Sequence, residues 1–222
     1  MCGRFDIHTT LEIIAKIFDV DDVACDFVPN YNAAPSQQIP IVVHTGNKNR
    51  LILSTWGFLP SWAQEARTAY SMINARAETI DSSRSYKEAF FSTRCLVVAD
   101  GFYEWQRRGT MKVPSYIRLR SGVPMAFAGL YNAWRPPEGG ERCTSTIVTT
   151  DANELVSRLH DRMPVILHRE DYARWLNPEV HDTVMLKSLL RPFPSGALEA
   201  YPVSPRVNSP AFNSPDAIKP AP

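Results

Sequence analysis

Seven short β-prone stretches, each cut off by proline, glycine or asparagine, constrain this chain more than any other feature. They are Ile39–His44, Leu51–Trp56, Cys95–Ala99, Ser115–Leu119, Met125–Leu130, Thr144–Thr149 and Pro164–Leu167. Helical spacing is scarce. Thr9-Thr10-Leu11-Glu12 fits a capping box, and apolar Leu11, Ile14, Ile17 and Phe18 follow at helical intervals. Further short helices are expected at Ser85–Phe91, Ala152–Leu159 and Glu170–Leu176. Strands do not alternate with helices, so βαβ units are excluded. The expected fold is α+β: a single domain with a mostly antiparallel sheet forming a barrel-like or sandwich core, and a few short helices. With 222 residues the chain is long enough for a sizeable core. Its domain is expected over 1–208, with the Pro-, Ser- and Asn-rich 209–222 a flexible C-terminal tail.

Formal net charge is +1, so no global field draws the chain onto nucleic acid, and any such contact must come from a local cluster of Arg and Lys. No apolar run reaches the ~18 residues a membrane span needs, and the start has no secretion signal. A cytoplasmic protein with reduced thiols is expected. The four cysteines, Cys2, Cys25, Cys95 and Cys143, form no Cys-x-x-Cys pair. The last three read as small buried apolar residues. His8, His44, His168 and His181 share no ligand spacing, so neither a metal nor a cofactor is expected.

Cys2 stands apart by position. A small second residue permits removal of Met1, leaving an α-amine and a thiol on adjacent carbons. The amine has a reference pKa near ~7.7–8.0, so part of it is neutral and nucleophilic near pH 7. A nearby cation, here Arg4, is expected to lower the thiol from ~8.5. Such a pair condenses with an aldehyde to an imine, which the thiol closes into a thiazolidine ring. The plainer reading is that Cys2 is merely the residue after Met.

Three other segments carry candidate chemistry. In Asn74-Ala75-Arg76-Ala77-Glu78-Thr79, Asn74 can orient an amine or carbonyl and Arg76 can hold a phosphate, or they are a loop Asn and a solvent-facing Arg. In Val98-Ala99-Asp100-Gly101-Phe102-Tyr103-Glu104-Trp105, a buried strand enters an Asp-Gly turn and delivers Glu104 between aromatics. There its pKa should rise as a general acid requires, unless it sits exposed on an edge strand. In His160-Asp161-Arg162-Met163-Pro164, His160 titrates in the range for proton shuttling and Arg162 is a second phosphate candidate. Trp56-Gly57-Phe58-Leu59-Pro60-Ser61-Trp62 offers aromatics that could stack on bases; Trp56 is expected in the core and Trp62 outside it. Nucleotide-binding glycine motifs and a Gly-x-Ser-x-Gly elbow are absent.

These segments, with Met1-Cys2-Gly3-Arg4-Phe5, Tyr31-Asn32-Ala33-Ala34-Pro35, Arg94-Cys95-Leu96-Val97 and Phe127-Ala128-Gly129-Leu130-Tyr131, stand in the order of a known family. The chain resembles the SOS-response-associated peptidase (SRAP) family of abasic-site-processing proteins, from Met1 to about Asn208. The resemblance implies a catalytic set of Cys2, Asn74, Glu104 and His160. It also implies DNA contacts at Arg4, Asn32, Ala33, Ala34, Pro35, Trp62, Arg76, Arg162, Met163 and Pro164. It further implies a positive channel for single-stranded DNA bearing abasic sites, a monomer, and removal of Met1, by self-cleavage in the view that gave the family its peptidase name. Competing readings are an N-terminal-nucleophile amidohydrolase, a peptidase, and a plain single-strand-binding module. The first is weakened because the chain lacks an Asn-Gly dipeptide for an oxyanion hole.

Overall fold

A computed structural model describes residues 2–109, 111–136 and 139–221, the side chains of 67, 68, 70 and 108 aside. In chain order the elements are β1 (Phe5–Ile7), α1 (Leu11–Ile17), β2 (Asp22–Val23), β3 (Asn30–Ala33), β4 (Gln38–Thr45), β5 (Lys48–Trp56), β6 (Asn74–Arg76), α2 (Lys87–Ser92), β7 (Arg94–Ala99), β8 (Gly101–Arg108) and β9 (Met111–Leu119). There follow β10 (Met125–Trp134), β11 (Arg142–Asp151), β12 (Arg162–Pro164), α3 (Tyr172–Leu176), α4 (Thr183–Ser188) and β13 (Leu198–Pro202). The fold is α+β as expected, mostly strand with few and short helices.

Two sheets form the core. One runs β13-β9-β8-β1-β3, and the other runs β12-β11-β10-β7-β4-β5-β2. A parallel pairing of Thr144 with Thr55 and Ser145 with Trp56 joins β11 back to β5. That contact closes the β5-β4-β7-β10-β11 path into a small barrel, which leaves those strands without open edges. β7 is its central stave: all six residues are buried, Cys95–Ala99 as an apolar run between two neighbours and Arg94 through bonds to the carbonyls of Phe90, Trp175 and Val180.

The expected Asp100-Gly101 turn carries the chain from one sheet to the other. β7 pairs within the barrel, and β8 pairs with β1 and β9 in the other sheet, so the chain changes sheets at Asp100. Asp100 is fixed there by three donors, the backbone amides of His8 and Thr9 and the Thr9 hydroxyl. Thr9 is therefore unavailable for the expected capping box; Thr10 occupies the N-cap of α1 with no side-chain bond to the backbone. Gly101 is required at the corner, because a Cβ there would fall 2.3 Å from Cζ of Tyr116.

Two further expectations are corrected. Ala152–Leu159 forms only a single turn over Val156–Arg158, since the Asn153 side chain both accepts from the Val156 amide and donates to Phe193 O, tying the turn to another segment. The stretch after Asn208 is not a loose tail. Ala217 is fully buried against Tyr103, Tyr116, Val203 and Val207, Val203 bridges Pro220, and Asn32 donates to the carbonyls of Ser209 and Phe212. Among the described residues no helix is long and apolar enough to cross a membrane.

Candidate active site

The start of the chain is held by β3 and β8 and by the aromatic core beneath it. Phe5 is fully buried and its ring contacts Trp56 and Phe127 at 5.1 and 6.0 Å. Phe5 also pairs with Phe102 across β1 and β8, and the Tyr103 amide donates to Arg4 O at 3.0 Å. This register sets Cys2 beside β8, where it is completely buried.

Asn74 arrives from a different layer. β6 lies parallel to β11, with Asn74 opposite Ile147, and the Tyr86 hydroxyl donates to Asn74 O. The Asn74 Nδ2 donates to Cys2 O at 2.9 Å. Its Oδ1 is buried with no hydrogen-bond partner. A buried acceptor left open in this way is costly unless something else supplies a donor.

Glu104 projects from β8 and is 2% exposed. Burial raises its carboxyl from an ordinary 4.5 to about 7, with the positive chain terminus opposing the rise and Asp161 adding to it. The carboxyl is thus poised to give or take a proton near neutrality. Glu104 lies close enough to Cys2 that its charge pushes the thiol further up. The expectation that Arg4 lowers the Cys2 thiol is overturned. Burial dominates and pushes the thiol well above its ordinary value, opposed only in part by the terminus and by a hydrogen bond from the Arg4 backbone. The Arg4 guanidinium is turned to Asn32 Oδ1 (2.7 Å) and Val207 O (2.9 Å), and lies 5.8 Å from the Trp105 ring centre.

His160 follows the Val156–Arg158 turn. Its Nδ1 is 3.0 Å from the Arg162 amide and 2.7 Å from Asp161 Oδ1. The first contact needs a lone pair on Nδ1 and the second needs a proton there, so they are alternatives chosen by the protonation state. Burial lowers the His160 pKa, which favours the neutral ring and the contact with the Arg162 amide.

Glu104 and His160 face one cleft of about 570 Å³, lined also by Arg4, Trp105, Arg107, Lys112 and Asn208. The structure thus gathers Cys2, Asn74, Glu104 and His160 from four separate segments. The residues expected to touch DNA differ in exposure. Arg76 is exposed and Trp62 is 47% exposed, with Arg84 5.0 Å from its ring centre. Arg162 is engaged by Glu78, Asp151 and Thr149 O, so its charge is already balanced by two carboxylates. Asn32, Ala33, Ala34, Met163 and Pro164 are buried and Pro35 is half-buried. The Asn32 amide donates to three backbone carbonyls, those of Val207, Ser209 and Phe212.

Arg107, Lys112 and Asn208 were not anticipated. For Arg107 and Lys112 the available signal was Gly109 between two strand-like stretches; the two residues pair across β8 and β9, on the face that carries Trp105. Asn208 had no such signal. Cys25 and Cys143 are only partly buried, against expectation, whereas Cys95 is in the core. Trp56 is in the core, as expected. Asp6, His8 and Asp100 place ligand-type atoms within 4.8 Å of one another, a group the sequence did not suggest. These atoms bond mutually and to Thr9 and Tyr116, and serve to fix β1.

Known proteins resemble this chain in sequence and in fold. The abasic site processing protein YoqW of Bacillus subtilis is 45% identical over 222 residues, covering 99% of each chain. YoaM of the same organism is 42% identical over 98% of this chain and 97% of that one. The abasic site processing protein HMCES of Xenopus tropicalis is 31% identical over 86% of this chain and 66% of that protein. A crystal structure of a Bacteroides thetaiotaomicron protein superposes with a TM-score of 0.89 at 27% identity, covering 99% of this chain and all of that one. The model of the family described as SOS response associated peptidase (SRAP) matches residues 1–210, and the chain therefore belongs to that family.

Proposed function

We propose that this protein captures abasic sites in single-stranded DNA by closing a thiazolidine between Cys2, freed of Met1, and the sugar aldehyde. The observation that carries this reading is the convergence of Asn74, Glu104 and His160 on the first residues of the chain. The relatives named abasic site processing proteins support the substrate class.

The steps balance without a cofactor. The closed abasic sugar opens to its aldehyde, with Glu104 and His160 moving the protons. The neutral Cys2 amine adds to the carbonyl carbon and water leaves, giving an imine. The thiol then adds across that C=N bond, its proton passing to nitrogen, and one water has been lost overall. Because burial keeps the thiol protonated, the amine attacks first and the thiol needs a base; Glu104, titrating at about 7, suits that role. Asn74 Nδ2 fixes the Cys2 carbonyl, and the open Oδ1 is an acceptor for the amine. Holding the terminus beside the sugar supplies several kcal/mol as effective molarity, on the order of 7 for well-oriented groups. An imine at this sugar invites β-elimination and strand cleavage. Thiol addition removes that electron sink, so the adduct shields the site. Exposed Arg76 and Trp62 suit the flanking strand, as a phosphate partner and a stacking surface.

The deciding experiment is intact mass of the purified protein before and after mixing with an abasic oligonucleotide. It should show loss of Met1 and then a mass gain equal to the oligonucleotide less one water. Cys2→Ser keeps the amine and should give no heat-stable adduct. A heat-stable adduct with Cys2→Ser would rule out the thiazolidine, and proteolysis of an added peptide without DNA capture would favour a peptidase.

A further inference from the structure

The cleft has a second, cationic end that the capture chemistry does not use. Arg107 and Lys112 occupy directly opposed positions in the β8–β9 ladder, which sets their Cβ atoms about 5 Å apart. Like charges so placed repel, and a fold has no reason of its own to pair them. Both are exposed, both line the cleft, and among the described residues neither has an acidic partner. With Arg4 they make three cations against one carboxyl, Glu104, on a molecule whose net charge is only +1. Half-buried Trp105 lies two ladder positions further in, on the same strand face, pinned by a bond from its Nε1 to Asn208 Oδ1 (2.7 Å). A cationic pair bordering an aromatic face is the combination that tracks a single nucleic-acid strand. Arg162, two residues beyond the cleft-lining His160, adds little net positive charge, because Glu78 and Asp151 already pair with it.

We propose that Arg107 and Lys112 form a phosphate-binding subsite that grips the DNA backbone beside the captured sugar, repulsion between the two cations being relieved when a phosphodiester sits between them. This rests on the reading of the cleft as the place of capture. The ligand class is the phosphodiester of a single strand, held by charge and without regard to sequence.

The test uses the full chain and a single-stranded oligonucleotide carrying a tetrahydrofuran abasic analogue, which has no aldehyde and forms no adduct. Affinity is measured by fluorescence anisotropy from 50 to 200 mM salt. Each phosphate contact on a single strand contributes about 0.7 to the slope of log affinity against log salt. R107Q/K112Q should therefore flatten the slope by about 1.4, so that it loses about sevenfold less affinity than the wild type across that range. Arg120→Gln is the control. Arg120 lies at the far end of β9, roughly 25 Å along the strand from Lys112, and should leave the slope unchanged. An unchanged slope in R107Q/K112Q, or an equal drop in Arg120→Gln, overturns the subsite. Neither change can be blamed on misfolding, because relieving a like-charge pair should leave the melting temperature level or higher. A parallel reaction of wild type with a true abasic oligonucleotide separates the two readings. Adduct formation with an unchanged slope in the variant sinks the subsite alone. A flattened slope without any wild-type adduct supports the subsite on a plain strand-binding surface and sinks the capture.

Discussion

Glu104→Gln should stabilise this protein at alkaline pH while slowing its chemistry. The folded carboxyl titrates at about 7 against an ordinary 4.5. Between those values the folded chain retains a proton that the unfolded chain has released, so stability falls as pH rises through the window. At about 1.4 kcal/mol per pH unit, the full cost above pH 7 is about 3 kcal/mol. Gln has nearly the same shape and no charge to desolvate. The stability difference between variant and wild type should thus be small near pH 4 and grow to about 3 kcal/mol by pH 8, or about 6–12 °C in Tm for a chain of this size. Any hydrogen bond lost with the carboxylate adds a constant offset, so the pH-dependent part is the quantity to read. Urea denaturation at pH 4, 6 and 8 measures it. Parallel stability curves for the two proteins would refute the claim that burial holds this carboxyl up, and with it the role assigned to Glu104 at neutral pH.

Asn74→Ala removes the donor to Cys2 O and should slow single-turnover capture by on the order of 10–100-fold with an unchanged circular dichroism spectrum; a wild-type rate would show that the terminus needs no such guide. Gly101→Ala drives a methyl into the Tyr116 ring and should cost about 1–3 kcal/mol in urea melts, with loss of the Tyr116–Asp6 bond. Truncation after Asn208 strips Ala217 from the Tyr103–Tyr116 cluster and leaves Asn32 with one of its three carbonyls, so it should cost at least about 2 kcal/mol. A truncated chain with the full-length melting temperature would restore the view of that stretch as a loose tail.

The strands of the barrel were legible because each is an apolar run ended by turn residues, and the helical face of α1 was legible because Ile14 and Phe18 point inward at the expected spacing. The short strands β1, β3 and β6 were not, since three or four residues carry no period and are fixed by partners far along the chain. At the site, the elevated carboxyl of Glu104 followed from its aromatic and apolar neighbours. The state of the Cys2 thiol did not, because nearness to Arg4 in sequence says nothing of where the guanidinium points. Asn32 shows the same limit: only the fold reveals the three carbonyls that its amide meets, which lie 175 and more residues further along the chain.

The bond from Arg4 to the carbonyl of Val207 spans 203 residues of chain. During synthesis the arginine leaves the ribosome at the outset, yet its resting place does not exist until Val207 has been added. Arg4 therefore reaches its final surroundings only after nearly every other element has been made. Any opening of the turn over Pro205–Asn208 withdraws an anchor from Arg4, two residues from Cys2, although the two partners lie 203 residues apart.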